Sequence, residues 1–441
     1  MYLRKVHIEN IRSIAKLDWE IPKGKEAGWH VVIGDNGSGK STFLRSIALV
    51  LIPYNDVSAL RENWNDWLRQ SERQGKIDLR LHIDDLNTNQ MELGIRLTRS
   101  ISDMNSVNLM WVTDHPIEMG KFEKVGDKAK LQPFEVPSIE GFSAAYGPFR
   151  RFSGGDLESE KIFSTNPKLA AHLSIFGENI ALTESLKWLK DLDYRQAKKK
   201  PEGALLDSVK AFVNQDNFLP HRTKLIEISP DGVIFADGDG RQVQIEELSD
   251  GYRSILSMTF ELIRQMSATF KSEQIFSYDS SKIIVPGIVL IDEADAHLHP
   301  TWQRRIGLWF REHFPNIQFI VTTHSPLVCQ AADTVFRLPA PGSEEQAGMV
   351  TGIALQRLLY GDVLDAYGTA LFGEDVGRSE RGKEMMKELA ELNVKEVNLG
   401  LSKTERAKQQ KLRAAFPSIP YKPLLETTKA ATNGRRKENR K

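Results

Sequence analysis

The stretch GDNGSGKS, Gly34 to Ser41, decides how the rest of this 441-residue chain is read. It fits G-x-x-x-x-G-K-[ST], follows the apolar run WHVVI (29–33) and opens STFLRSIALVL (41–51), whose apolar residues recur at helical spacing. Strand, glycine loop and helix in that order make a phosphate cradle. Gly34, Gly37 and Gly39 let the backbone curl around Asp35, Asn36 and Ser38, so that amides face the phosphates of a nucleotide. Lys40 then reaches the β and γ phosphates of ATP, the Ser41 hydroxyl takes a place on Mg2+, and Thr42 continues the helix start.

Outward from the loop, the preceding LRKVHIEN (3–10) alternates, and with WHVVI it makes a strand, turn, strand, loop, helix opening of α/β type. KIDLRLHID (76–84), MELGIRLTRS (91–100) and NLMWVTD (108–114) also alternate, which predicts an antiparallel sheet. PKLAAHLSIF (167–176) and ESLKWLKDL (184–192) read as helices, with Lys198 to Lys200 before Pro201 as an exposed linker. KLIEIS (224–229) and VIFAD (233–237) flank Pro230-Asp231-Gly232, a hairpin turn. GIVLIDE (287–293) and IQFIVTTHSP (317–326) are short apolar runs separated by a helical segment, as parallel strands require.

The second run supplies the other half of a nucleotide site. An apolar strand delivers Asp292 to the magnesium and sets Glu293 beside the γ-phosphate, where a carboxylate orients or deprotonates the attacking water. His324, at the carboxyl end of the next strand, is a candidate γ-phosphate sensor, against the plainer reading of a histidine that caps a strand end. Two stretches compete as a serine-glycine phosphate clamp, FSGGD (152–156) and LSDGY (248–252). Only the second precedes a strongly apolar helix (Ile255, Leu256, Met258, Phe260, Leu262, Ile263, Met266), so Ser249 caps that helix and Gly251 lets its first turn approach a ligand.

Composition narrows the setting. Lys plus Arg equals Asp plus Glu at 59 each, so no whole-chain field draws the protein to nucleic acid or membrane. One cysteine, Cys329, excludes a disulfide framework and multi-cysteine zinc, and fits a reducing, cytoplasmic setting. The longest apolar run, IALVLI (47–52), is far too short to span a bilayer. His297 and His299 lack further spaced ligands and read as structural or interface residues rather than metal ligands. Arg150 and Arg151 in YGPFRR read equally as a solvated pair or as sensors of nucleotide, partner or DNA. The basic tail KAATNGRRKENRK (429–441) leaves nucleic acid open as a partner.

The order P-loop, serine at a helix start, strand ending Asp-Glu, strand ending in His resembles ABC-type ATPases. LSDGY looks like a degenerate Leu-Ser-Gly-Gly-Gln signature that keeps Leu248, Ser249 and Gly251, with Asp250 and Tyr252 as departures. IENIRSI (8–14) resembles the RecF/SMC branch, which implies Asn10 and Arg12 near the nucleotide, and no heptad arm interrupts the chain. IDEADAHLHPTWQRRI (291–306), LSDGYRS and AYGPFRR are similar to the ATPases of the OLD and Septu PtuA type in bacterial anti-phage systems.

The resemblance implies a fold, an assembly and partners. The fold is an α/β ABC-type P-loop NTPase core with a parallel sheet, a β-rich antiparallel subdomain, an inserted helical lobe and a helical C-terminal extension. Residues 1–150 hold the P-loop and β-rich subdomain, 151–245 the helical lobe and hairpin, 246–340 the signature, the Asp-Glu strand and His324, and 341–441 the extension. In the implied ATP-sandwich dimer or higher oligomer, Leu248, Ser249, Asp250 and Gly251 meet a neighbour's ATP and Asp295 lies at the interface. Implied further are a separate HNH nuclease partner (PtuB-like), no nuclease activity in this chain, and no membrane. A RecF-like DNA repair ATPase and a transporter ATPase subunit are the alternatives.

Overall fold

The computed structural model describes residues 1–60, 62–83, 90–100, 107–113, 124–125, 128–129, 141–150, 166–177, 183–216, 218–367, 370–372 and 379–416. FSGGD, Arg151 and the basic tail lie outside them. Its contacts divide into two compact units, Met1–Glu374 and Asp375–Lys441.

The main elements of the first unit run as follows. Strands β1 (Tyr2–Ile11), β2 (Ile14–Glu20) and β3 (Gly28–Ile33) lead through the glycine loop to helix α1 (Lys40–Leu51). Then come β4 (Gln74–His82), β5 (Gln90–Arg99), β6 (Val107–Thr113) and β7 (Phe142–Tyr146). Helices α2 (Thr183–Ala197) and α3 (Ala204–Val213) precede β8 (Lys224–Ser229), β9 (Gly232–Ala236), β10 (Gln242–Gln244) and α4 (Asp250–Thr269). The unit continues with β11 (Gly287–Ile291), α5 (Pro300–His313), β12 (Ile317–Thr322), β13 (Thr334–Arg337) and β14 (Gly348–Met349).

Two large sheets face α1 from opposite sides. One is six-stranded, ordered β14-β13-β3-β12-β11-β7, parallel except for the edge strand β14. The other is antiparallel, ordered β2-β1-β4-β5-β6. Because α1 lies between them, its residues Phe43, Leu44, Ile47, Ala48, Val50 and Leu51 are all buried, and so are polar Lys40, Thr42 and Ser46. Alternation along the parallel strands divides the core into two. Val32, Ile288, Leu290 and Ile320 face α1, whereas Trp29, Val31, Val289, Ile291, Phe319 and Val321 face α4 and α5. Gln318, fully buried on β12, accepts from the Leu3 amide (2.7 Å) and donates to the Leu3 carbonyl (2.9 Å), tying the two sheets.

The expected antiparallel sheet, the 224–237 hairpin, the apolar helix after LSDGY and the parallel Asp-Glu strand are all present. Two expectations are corrected. LRKVHIEN does not enter the α/β core: with IAKLDWE (14–20), not foreseen as a strand, it joins the antiparallel sheet. Its alternation is the reason, since a strand with one wet face suits an antiparallel sheet, while central parallel strands are apolar throughout. The parallel sheet also takes β13, not foreseen as a strand within 246–340, and its edge strand β14 falls in 341–441, where a helical extension was expected. Four residues, TVFR, are too few to show a period.

Two of the buried histidines give the unit an acid-sensitive interior. His30 Nε2 donates to the Glu26 carbonyl and its Nδ1 accepts from Thr334 Oγ1, while His172 Nδ1 donates to the Lys168 carbonyl. Burial holds both at about 4, below the ordinary 6.5. Their stabilising share is therefore full above pH 6.5, where both states are neutral. It is lost as pH falls toward 4, because the unfolded chain binds the protons first, at about 1.4 kcal/mol per pH unit per histidine. Thermal melts from pH 6.5 to 4 should show a shallower loss for His172→Gln than for the wild type; equal slopes contradict the assignment.

In the second unit, helices α6 (Glu380–Asn398) and α7 (Lys403–Ala415) form a hairpin. Ser402 and Glu405 make a reciprocal capping box, and buried Gln409 donates to Asn393 (2.9 Å) and Glu396 (2.8 Å) across the pair.

Candidate functional site

The glycine loop sits at the carboxyl end of β3, where an open α/β sheet presents its ligand crevice. Gly39 caps α1 in the left-handed region (φ 99°), and a Cβ there would come within 2.9 Å of Ser13 Oγ. The turn between β1 and β2 thus closes against the loop. Asp35, Asn36 and Gly37 are exposed at the crest, Gly34, Gly39 and Ser41 are half-buried, and Ser38, Lys40 and Thr42 are buried. Lys40 Nζ donates to the carbonyls of Gly34 (2.8 Å) and Asp35 (3.0 Å). Burial lowers the Lys40 pKa, and Asp292, Glu293, Asp35 and Asp295 oppose that shift, so the ammonium stands among the site's acids.

The loop fits a phosphate on its own geometry. Ser38 Oγ is buried without a hydrogen-bond partner, an arrangement that costs about 1–3 kcal/mol unless a ligand atom meets it. Asp292 and Ser41 fit magnesium, which binds through one or two carboxylates plus substrate phosphates. One Asp292 oxygen accepts from the Thr322 hydroxyl. Among the described residues no group of three or more His, Cys, Asp or Glu could hold a metal, His297 and His299 included. His299 instead caps α5, its Nδ1 accepting from the Thr301 amide and hydroxyl.

Thr322, which was not among the candidates, and Arg150, read equally as a solvated residue or a sensor of nucleotide, partner or DNA, order the acids. The Thr322 hydroxyl, completely buried, also accepts from the Glu293 amide at 2.8 Å. Arg150 is 5% exposed, so the reading of it as half of a solvated pair is corrected. Its guanidinium donates to the carbonyls of Gly147 (2.9 Å), Asp292 (2.8 Å) and Glu293 (3.0 Å) and to Ser254 Oγ (3.1 Å). Burial pushes its pKa down to about 10, against the pull of Asp292, Asp295 and Glu293, so it stays charged at neutral pH.

The remaining candidates take these places. Asn10 (φ 57°) and Arg12 (φ 48°) shape the β1–β2 turn beside the loop. Asn10 Nδ2 donates to the Gln74 carbonyl (3.1 Å), while Arg12 lies 4.4 Å over the Trp67 ring and 3.2 Å from Glu62. His324 is exposed at the end of β12, and its amide donates to Asp295 Oδ1 at 3.3 Å. Asp295 also accepts from the Thr323 hydroxyl, which fixes the segment after Glu293 against the end of β12. Ser249 occupies the N-cap position of α4, yet its side chain makes no capping bond and is exposed. Leu248 is buried, and a Cβ on Gly251 would come within 3.2 Å of the His297 carbonyl. The two departures in LSDGY have local partners: Asp250 pairs with Arg253, and Tyr252 donates to the Pro220 carbonyl at 3.2 Å.

With this geometry in place, comparison with known proteins is decisive. The family described as "AAA domain, putative AbiEii toxin, Type IV TA system" matches residues 30–330, more than half of the chain. The chain belongs to this AAA-domain family. The match spans the P-loop, LSDGY, Asp292-Glu293 and His324 alike. This AAA-domain protein is 27% identical over 333 residues to the Septu protein PtuA of Bacillus mycoides, covering 74% of the chain but 38% of that relative. It is 24% identical over 380 residues to the "Retron Vc95 probable ATPase" of Vibrio cholerae, covering 74% of the chain and 71% of that protein. Among solved structures, an SMC head bound to the C-winged helix domain of ScpA aligns at 15% identity and a TM-score of 0.48, over 79% of this chain and 98% of that one. The expected kinship with Septu ATPases therefore holds, and it takes in retron ATPases as well. Among the described residues, no helix is long and apolar enough to cross a membrane.

Proposed function

We propose that this protein binds and hydrolyses ATP with magnesium, and that ATP joins copies of it through the LSDGY helix. On this reading it serves as the ATPase and regulatory component of an anti-phage system of Septu type, controlling a separate nuclease of HNH class. The observation that carries the catalytic part is the facing of two elements. Ser38 Oγ without a partner and the Lys40 ammonium lie on one side, and Asp292 and Glu293, both tied to Thr322, lie on the other.

Each residue then has a task. The loop amides, Ser38 and Lys40 hold the β and γ phosphates. Ser41 and Asp292 hold the magnesium, which when bound neutralises charge on the phosphate oxygens. Glu293 takes the proton of the attacking water, and His324 donates to the γ-phosphate oxygens. Exposed Ser249 and half-buried Gly251 are left to meet a neighbour's γ-phosphate, with Asp295 at the same seam. The 27% identity to a Septu PtuA supports the system-level reading.

Replacing Lys40 with Ala removes a charge-assisted contact worth about 1.5–3 kcal/mol, roughly tenfold to a hundredfold in affinity. Titration with a fluorescent ATP analogue should show that weakening. Wild-type affinity and turnover in Lys40→Ala would sink the site assignment.

A further inference from the structure

Arg150 is used by neither the phosphate cradle nor the acids' side chains, yet it is one of the most heavily bonded side chains near the site. It lies at an otherwise apolar seam between α4, β11 and α5, where Ile255, Met258, Ile291, Leu298, Ile306 and Phe310 line a small cavity with it. At one end of the guanidinium is Ser254, five residues after Ser249 on the same helix; at the other are the backbone carbonyls of Asp292 and Glu293. Glu293 is a non-glycine residue in the left-handed region (φ 48°), a conformation that persists only where its surroundings over-determine it. Its amide is held by Thr322 and its carbonyl by Arg150, so those two contacts set where the carboxylate points.

We infer that Arg150 is a positioning residue through which α4, via Ser254, sets the backbone of Glu293, so that engagement of Ser249 by a neighbouring copy is read out at the catalytic carboxylate. This rests on the proposed meeting of LSDGY with a neighbour's nucleotide. A shift of α4 along its axis moves Ser254 and takes one arm of the planar guanidinium with it. The other arms carry that movement to the Glu293 carbonyl. A lysine cannot make this link, because a single ammonium does not reach acceptors spread around a planar fork. Hydrolysis is then coupled to assembly through Arg150, while the affinity of a single subunit for ATP, which depends on the loop, does not pass through it.

Ser254→Ala tests this with little disturbance, since it deletes one hydroxyl and leaves the helix residue intact. ATP-analogue affinity should stay within twofold of wild type and ATP-dependent association should persist, while kcat falls about tenfold. Arg150→Lys should show the same split, with kcat lost, KM kept, and no rescue by the retained positive charge. Wild-type kcat in Ser254→Ala with association intact overturns the coupling alone. Loss of association together with kcat in Ser254→Ala also overturns it, because the helix then acts on assembly and not through Arg150. Absence of ATP-dependent association in the wild type overturns both this inference and the reading beneath it.

Discussion

Glu293→Gln is expected to lower ATP turnover by about 10²–10⁴-fold, the usual contribution of a general base, with ATP still bound. The backbone geometry explains why the loss should be confined to chemistry. The Glu293 amide and carbonyl are fixed by Thr322 and Arg150, neither of which touches the Glu293 side chain, so the amide analogue occupies the same position without a basic oxygen. Lys40, Ser38 and Asp292 are unchanged, and nucleotide affinity should stay within a few-fold of wild type. Single-turnover hydrolysis separates the steps: binding at the wild-type rate followed by very slow phosphate release is the expected trace. Wild-type phosphate release would remove Glu293 from the chemistry and leave Thr322 and Arg150 without a catalytic purpose.

Ser249→Arg is expected to abolish ATP-dependent association and, with it, turnover. Ser249 is exposed and its hydroxyl makes no capping bond, so the folded subunit does not depend on it. Stability should change by no more than about 0.5 kcal/mol, as for a surface substitution. What changes is the face presented at the start of α4, where a long guanidinium now occupies the space a neighbour's phosphate needs beside Gly251. ATP affinity of the isolated subunit should be retained, since the loop residues lie elsewhere in the chain. Loss of affinity in the subunit would place Ser249 at its own nucleotide instead.

Much of this was legible in the residues, for physical reasons that differ from element to element. GDNGSGKS was decisive because few backbones other than a phosphate loop need three glycines, a lysine and a serine at that spacing before an apolar helix. GIVLIDE and IQFIVT read as buried strands because they are apolar on both faces, and in the structure every residue from Gly287 to Ile291 and from Ile317 to Thr322 is buried. LRKVHIEN was read as a strand but given the wrong sheet: alternation fixes which face is wet, not which neighbour a strand will have. TVFR was too short to show a period at all. Arg150 stood as a candidate, but its contacts were illegible for another reason. Its role is defined by carbonyls that every residue type possesses, and only the fold brings those of Asp292 and Glu293 beside Ser254. Asp250 and Tyr252, the two departures from the signature pattern, have local partners in Arg253 and the Pro220 carbonyl, which only the fold reveals.

Light scattering on the Glu293→Gln protein, where bound ATP persists, tests the central claim most directly. Without nucleotide the mass should be that of one chain, 49.9 kDa. With ATP and magnesium it should at least double, and adding Ser249→Arg in the same background should return it to a single chain. A mass that does not depend on ATP, or that depends on it equally with Ser249→Arg present, would contradict the account.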